Sequence, residues 1–170
     1  MKRHYAGIGA RATPGPMLQL MTRAAFSLNK RNYILRSGHA DGADTAFENG
    51  SPDNAQVFLP CEGWRGSKSH FHPAAIDPAI WHRAAAISAQ HHPAFDRLKP
   101  FVRALHTRNV FQILGPDLAA PSEFVLCWTP DGKDSGGTGQ AIRVAAAHQI
   151  PVYNFFNQRE REHVERHLAL

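Results

Sequence analysis

The chain contains 170 residues, of which 43% are hydrophobic and 19% are charged. This composition is typical of a globular protein and excludes the disordered and fibrous classes. No apolar run approaches the roughly 20 residues that cross a bilayer, and the start MKRHYAGIGA lacks the apolar stretch of a secretory signal. We therefore expect a cytoplasmic protein without membrane association. Its formal net charge of +5 favours anionic partners.

Strand-like and helical patterns alternate along the chain. The predicted strands cover residues 5–8, 33–38, 56–60, 124–128 and 151–155, and the predicted helices cover residues 17–30, 41–50, 78–90, 94–114 and 141–149. This alternation predicts a mostly parallel sheet of about five or more strands with helices on both faces. We expect one Rossmann-like α/β domain over residues 1–170, with a lid-like insert at about 61–93 and a closing surface helix at about 157–168.

The loop after the first strand, GIGARATPG, is the first of three that we expect at the ligand-binding edge of the sheet. Ligands of such folds bind where the carboxyl ends of the strands lead into helix N-termini. Gly7, Gly9 and Ala12 formally match a dinucleotide fingerprint, but the prolines that follow delay the helix that this fingerprint requires. A turn in which Gly9 and Arg11 face a phosphate is the better interpretation.

The second loop is SGHADGAD, residues 37–44. Ser37 and Gly38 would allow a ligand to approach the backbone closely, and Asp41 and Asp44 stand where a helix begins. Capping of that helix explains one aspartate well and two less well. A structural role and a ligand-binding role therefore both remain open for this pair.

The third loop, DGKDSGGTGQAIR, lies between a buried strand and a helix. Glycine adopts positive φ and permits close approach to a phosphate, and successive backbone N–H groups at a helix start form an anion-binding nest. A flexible turn is the alternative for such residues. The clustering of glycine favours an anion site composed of Ser135, Gly136, Gly137, Thr138 and Gly139, with Arg143 one helical turn further on.

The segment EGWRGSKSHFHP within the insert is predicted to be a lid, because long loops in compact domains often carry function. Its Arg65, Lys68 and His70 would meet phosphates from above. The histidine pairs in SHFHP and QHHP lack the further ligands that a metal site needs. Cys61 and Cys127 each follow an apolar run, as packing residues do. We therefore predict neither a metal nor a cofactor.

Together these loops resemble those of the SLOG superfamily, which groups the DNA-processing protein A (DprA/Smf) family with the Lonely Guy (LOG) phosphoribohydrolases. SGHADGAD is similar to the superfamily pattern S-G-x-A-x-G-x-D, and it follows GIGAR and precedes VFLP, the pair Arg108 and Asn109, and SGGTG in the expected order. The resemblance covers most of the chain from Tyr5 to about Phe155, apart from the insert. It implies a Rossmann-like fold, a nucleotide or nucleotide-derived ligand, and a homodimer.

The LOG pattern P-G-G-x-G-T-x-x-E is matched in part. Its glycines are present, whereas Gln140 replaces the threonine and Arg143 replaces the glutamate that supports cleavage of an N-glycosidic bond in LOG enzymes. The loss of this carboxylate argues against LOG-type hydrolysis by that position and suggests a phosphate contact for Arg143. Arg108 would take the role of the upstream arginine in the family.

The primary hypothesis is therefore binding of a nucleoside phosphate or an ADP-ribose-like molecule, with or without cleavage of an N-glycosidic bond. The glycine-rich loop and Arg11 would hold phosphate, and Asp41 or Asp44 would bond to ribose hydroxyls. If the bond is cleaved, the candidate carboxylates are Asp44, Glu48 and Glu123.

Two alternatives stay open. One is a DprA-like recombination mediator that binds single-stranded DNA, which is compatible with the basic net charge and with aromatic residues of the insert such as Trp64, Phe71 and Trp81. The other is a non-catalytic sensor or sponge of a nucleotide signal. The short chain favours a small ligand over a filament-forming mediator.

Overall fold

The computed structural model describes residues 2–170, which form an α/β domain with five strands and six α-helices. The elements in chain order are β1 (Arg3–Gly7), α1 (Gly15–Lys30), β2 (Tyr33–Ser37), α2 (Ala43–Gly50), β3 (Ala55–Val57), α3 (Pro78–Gln90), α4 (Pro100–Leu114), β4 (Val125–Cys127), α5 (Gly136–Ala147), β5 (Val152–Asn154) and α6 (Gln158–Leu168). Short 3₁₀ turns occur at Trp64–Gly66 and Phe95–Arg97.

The strands form one sheet in the order β3-β2-β1-β4-β5, and each neighbouring pair is parallel. Successive side chains of a strand point to opposite faces of the sheet. Both faces carry apolar side chains here, and helices cover each of them. Tyr5 and Leu126 pack with α1, α2 and α6 on one face, whereas Ala6 and Val125 pack with α3, α4 and α5 on the other. The predicted fold class is confirmed. Within residues 2–170, no helix combines the length and apolar character needed to span a membrane.

Two predicted boundaries were wrong for identifiable reasons. The helix predicted at residues 94–114 is interrupted, because Leu98 and Lys99 are extended and α4 begins at Pro100. A residue that precedes proline is disfavoured in helical conformation. The helix predicted from Ala141 begins earlier, at Gly136, so part of the predicted glycine-rich loop is helical.

The predicted insert at 61–93 has two structurally different parts. Its first part is mostly irregular and is attached to the sheet by Phe71, which pairs with Phe58 just beyond β3. Its second part contains α3, which packs with α4 and α5 as a regular member of the helical layer.

The helices α1 and α2 approach each other closely at Gly50. A Cβ atom at Gly50 would collide with the carbonyl oxygen of Thr22 and lie 2.6 Å from the Cβ atom of Ala25. Gly50→Ala is therefore expected to lower the free energy of unfolding by about 1–3 kcal/mol through overpacking. Urea denaturation followed by circular dichroism measures this change. The matched control is Gly15→Ala, where a Cβ atom meets open space; equal effects of both substitutions would contradict the close packing.

Candidate functional site

A cavity of about 620 Å³ lies at the carboxyl edge of the sheet, beside the ends of β1 and β4. The strand order reverses there, since β2 and β3 extend to one side of β1 and β4 and β5 to the other. Open parallel sheets bind ligands at such a point. The walls come from residues 8–12 after β1, Ala40 and Asp44 after β2, residues 129–130 and 135–138 after β4, Ala141 of α5, and one face of α4.

The glycine-rich segment forms the first turn of α5 at one wall of this cavity. Gly136 has a φ of 63°, in the left-handed region that glycine adopts without strain. The hydroxyl of Ser135 donates to Asp131 at 2.7 Å, and no side chain among residues 2–170 caps the helix. The first backbone N–H groups of α5 therefore lack an intrahelical acceptor where Gly137 and Thr138 line the cavity.

The turn after β1 contributes an arginine to the same cavity. Arg11 is exposed and lines the cavity wall. The glycine two residues earlier is required by packing, because a Cβ atom at Gly9 would lie 2.7 Å from the Cβ atom of Ala43 in α2. The turn thus rests directly on α2 and brings Arg11 to the cavity that α5 also faces.

Two buried side chains of α4 form the floor of the cavity. Arg108 is 6% exposed and Gln112 is 1% exposed, and they lie one helical turn apart. The Arg108 Nε and Gln112 Nε2 atoms have no hydrogen-bond partner among residues 2–170. Buried polar groups are normally paired, so these two donors are unused hydrogen-bonding groups at the floor.

Gly38 provides the space that these donors occupy. A Cβ atom at Gly38 would coincide with the guanidinium group of Arg108 and lie 2.9 Å from Nε2 of Gln112. The sequence prediction that Gly38 admits a ligand is thus corrected, because the space at this glycine is filled by Arg108. No sequence motif indicated Gln112. Its position four residues after Arg108, on the same helix face, is the signal that identifies it.

Asp44 lies at the floor beside Arg108. It is 3% exposed, and its Oδ2 atom lies 3.4 Å from Nη1 of Arg108 and accepts the backbone N–H of Ala40 at 3.3 Å. Asp44 is in the first turn of α2, whose N-cap is Gly42, so it does not cap that helix. Burial raises the pKa of the Asp44 carboxyl to about 6, although the charge of Arg108 acts in the opposite direction.

Glu48, the second candidate carboxylate, holds the loop after β2. Its Oε1 atom accepts the backbone N–H of His39 at 2.9 Å, and its Oε2 atom lies 2.6 Å from Nδ1 of the same histidine. His39 has a φ of 58°, so the loop turns sharply at this residue. Glu48 is absent from the cavity wall, and we assign it a structural role.

Asp41 lies outside the cavity, contrary to its predicted contact with a ligand. It is exposed and forms an ion pair with Arg65 of the predicted lid. Arg65, which was predicted to meet a phosphate, is thus paired with a carboxylate of the protein. Lys68 and His70 are exposed and do not line the cavity. The neighbouring Trp64 ring lies 5.6 Å from the guanidinium carbon of Arg108, which places this part of the segment beside the cavity floor.

Arg143 also lies outside the cavity, and its predicted phosphate contact is corrected. Its Nε atom donates to the carbonyl oxygen of His91 at 2.8 Å, and its Nη1 atom donates to the carbonyl oxygen of Asp134 at 2.8 Å. Gly139 is required at the same contact, because a Cβ atom there would collide with that carbonyl group of Asp134. Arg143 and Gly139 therefore hold the backbone at Asp134, in the loop that precedes α5.

Ser37 and Glu123 do not join the cavity either. Ser37 is fully buried at the end of β2, and its hydroxyl is unpaired among residues 2–170. Glu123 precedes β4 and lies at the opposite edge of the sheet, where it pairs with Arg3 at 2.9 Å and accepts the hydroxyl of Tyr33 at 3.2 Å. Glu123 is therefore excluded as a catalytic partner of the cavity residues.

The remaining wall is formed by α4 and is largely uncharged. Val102 and Leu105 line it together with His106, whose pKa is lowered to about 4 mainly by burial. Asn109 connects this wall to α5, since its Nδ2 atom donates to Oε1 of Gln140 at 3.2 Å and to the carbonyl oxygen of Gly137 at 3.4 Å. Asn109 thus positions the glycine-rich turn in addition to lining the cavity.

Comparisons with known proteins bear on the fold. No protein-family model matches the chain, and no curated protein matches its sequence. The structure is similar to that of DNA processing protein A from Helicobacter pylori, a solved structure described for its unique single-stranded DNA binding mode. The TM-score is 0.52 and the sequence identity is 15%, and the similarity covers 90% of this chain and 65% of that chain. This likeness establishes a shared Rossmann-like fold, and the chain spans 65% of the length of that structure.

The raised pKa of Asp44 predicts a pH-dependent effect of Asp44→Asn. The native state binds more protons than the unfolded state between about pH 4 and pH 6, so the carboxyl contributes less stability as the pH rises through this interval. The stability of Asp44→Asn relative to the wild type should therefore increase by about 2–3 kcal/mol from pH 4 to pH 7. Urea denaturation of both proteins at each pH measures this difference. A difference that stays constant or falls would contradict the raised pKa.

Proposed function

We propose that the cavity binds a nucleotide or a nucleotide-derived molecule, with a phosphate group at the N-terminus of α5. The observation that carries this proposal is the uncapped, glycine-rich first turn of α5 in a cavity that also contains Arg11. Unpaired N–H groups and the helix dipole make such a terminus favourable for an anion. The SLOG resemblance of the loops supports the same class of ligand.

The surface of Gly137 is suited to close contact with a phosphate. A Cβ atom at this position would meet no other atom within 4 Å, so the approach to the backbone is open. Arg11 supplies an exposed guanidinium group, which forms paired hydrogen bonds with phosphate oxygens. Together they provide both backbone donors and an exposed positive charge.

The rest of the cavity suits the nucleoside part of such a ligand. Val102 and Leu105 offer an apolar wall, and the floor offers the donors of Arg108 and Gln112 beside the carboxyl group of Asp44. The volume of about 620 Å³ is in the range of small-molecule sites. We propose that the segment around Trp64 covers the bound ligand, because it already lies beside Arg108.

Cleavage of an N-glycosidic bond would depend on Asp44. Of the three candidate carboxylates it is the one that lines the cavity, and a pKa of about 6 suits a group that exchanges a proton near neutral pH. Chromatographic detection of free base after incubation with nucleoside monophosphates tests turnover independently of binding.

A second candidate function is binding of single-stranded DNA. The similarity in fold to DNA processing protein A from Helicobacter pylori, described for its single-stranded DNA binding mode, favours it. The net charge of +5 is compatible with a polyanionic partner. In this function the cavity would accept one nucleotide of the strand.

Gly137→Asp tests the phosphate site directly. The added carboxylate favours the helix itself, because acidic residues stabilise a helix N-terminus, but it repels a ligand phosphate. We expect the variant to fold and to lose the thermal stabilisation that nucleoside mono- and diphosphates give the wild type. Differential scanning fluorimetry with a panel of these nucleotides measures the shift.

The matched control for this experiment is Gly137→Asn, which has the same size without the charge. It should retain more of the stabilisation than the aspartate variant. Equal stabilisation of wild type and Gly137→Asp by a nucleotide would contradict a phosphate at this terminus.

The salt dependence of DNA binding separates the two candidate functions. A DNA-binding surface that neutralises several phosphates loses affinity steeply as salt rises, by a slope of about −0.7 per contacted phosphate for single strands. Fluorescence anisotropy with a labelled oligonucleotide over a salt series measures this slope. A steep slope that Arg11→Ala reduces would support DNA as the ligand, whereas absence of binding at low salt, combined with nucleotide stabilisation, would support the small molecule.

A further inference from the structure

The floor of the cavity contains unpaired donors beside an acceptor. Nε of Arg108 and Nε2 of Gln112 are buried and unpaired among residues 2–170, and both side chains pack into the space at Gly38. Within the same residues, the hydrogen bonds of Asp44 go to Oδ2, which leaves Oδ1 to accept from a ligand. A complementary ligand therefore needs two adjacent acceptors for Arg108 and Gln112, and next to them donors for Asp44.

The charge of the floor argues against a second anion there. Arg108 and Asp44 lie 3.4 Å apart and offset each other, and the nearby His106 is neutral because burial lowers its pKa to about 4. A phosphate placed against Arg108 would also meet the carboxylate, which costs free energy at a buried site. The floor thus suits an uncharged polar group, whereas the N-terminus of α5 suits the anion.

Among the nucleobases, guanine has the matching edge. Its N7 and O6 atoms are adjacent acceptors, and its N1–H and N2–H₂ groups are adjacent donors. Arginine forms paired hydrogen bonds with N7 and O6, and a carboxylate can accept from N1–H and N2–H₂ together. Adenine alternates acceptor and donor along the corresponding edge, so it leaves at least one floor group unpaired.

We infer that this cavity selects guanine nucleotides, with Arg108 and Gln112 donating to N7 and O6 and the single free oxygen of Asp44, Oδ1, accepting from N1–H and N2–H₂. This inference rests on the proposed function, since it presumes a nucleotide whose phosphate lies at α5, and it assigns Asp44 to recognition of the base instead of to cleavage of the N-glycosidic bond. The apolar side chains Val102 and Leu105 of α4 line the same cavity and would pack against the ring. The selecting groups belong to α4 and to the first turn of α2, which are regular elements that hold their geometry.

Isothermal titration calorimetry with GMP, IMP, AMP, CMP and XMP tests the inference. GMP should bind the wild type about tenfold or more tightly than AMP or CMP. IMP lacks the N2 amino group and should lie between them. Asp44→Asn should weaken GMP and strengthen XMP. The amide oxygen stays with Ala40 and Arg108, so the amide NH₂ group replaces Oδ1 and donates to the O2 atom that xanthine carries in place of the amino group.

The outcomes separate the inference from the proposed function. Binding of all five nucleotides within about twofold, or an equal loss of every nucleotide in Asp44→Asn, would overturn guanine selection and leave the phosphate site intact. No binding of any nucleotide would overturn both. Asp53→Asn, an exposed aspartate that does not line the cavity, is the matched control and should preserve the order of affinities. Circular dichroism at the temperature of the titration verifies that each variant is folded.

Discussion

The burial of the Arg108 guanidinium at the carboxyl edge of the sheet is the constraint on which the cavity depends. A buried charge is costly unless it is paired, and Asp44 supplies the opposite charge at 3.4 Å. The pairing is incomplete, since burial still raises the pKa of Asp44 to about 6 and Nε of Arg108 has no partner among residues 2–170. Such an arrangement stores unused hydrogen-bonding capacity in the folded protein, as binding sites do.

The cavity is polar in two different ways at its two ends. At α5 the donors are backbone N–H groups reinforced by the helix dipole, and their field favours a full negative charge. At the floor the donors are side chains balanced by a carboxylate, and their field favours a neutral group. Asn109 links the ends, because it lies beside Arg108 on α4 and bonds to the first turn of α5. A ligand that satisfies both ends needs an anionic part and a polar neutral part, as a nucleotide has.

The fold is shared with DNA processing protein A from Helicobacter pylori. At 15% identity the two chains agree in the arrangement of strands and helices, and a Rossmann-like fold hosts many different ligands at the same edge. A single nucleotide and one unit of a single strand make similar demands on a phosphate site. They differ at the floor, where a pocket for one specific base would restrict a protein that has to bind any sequence.

Three residues that were predicted from sequence to contact a ligand lie outside the cavity. Asp41, Arg143 and Glu123 have the chemistry of ligand-binding groups, but each is engaged by another part of the protein: Asp41 by Arg65, Arg143 by two backbone carbonyl groups, and Glu123 by Arg3. Residue type and spacing carry no information about partners that are distant in the chain. Glu123 shows this most clearly, because it precedes its strand and so lies at the opposite edge of the sheet.

The sequence by itself determined the alternation of strands and helices, and with it the parallel sheet and the edge at which loops such as SGGTG gather. These features follow from hydrophobic periodicity and local glycine chemistry, which are properties of neighbouring residues. Arg108 and Asp44 were candidates from the sequence, but only the tertiary structure showed that they form a floor together with Gln112. The roles of Gly38 and Gln112 follow from the packing of α4 against the end of β2. This packing places the Arg108 guanidinium in the space that a Cβ atom at Gly38 would occupy, with Gln112 beside it. Contacts between residues 70 or more positions apart depend on how the helices pack against the sheet, and no pattern among neighbouring residues predicts them.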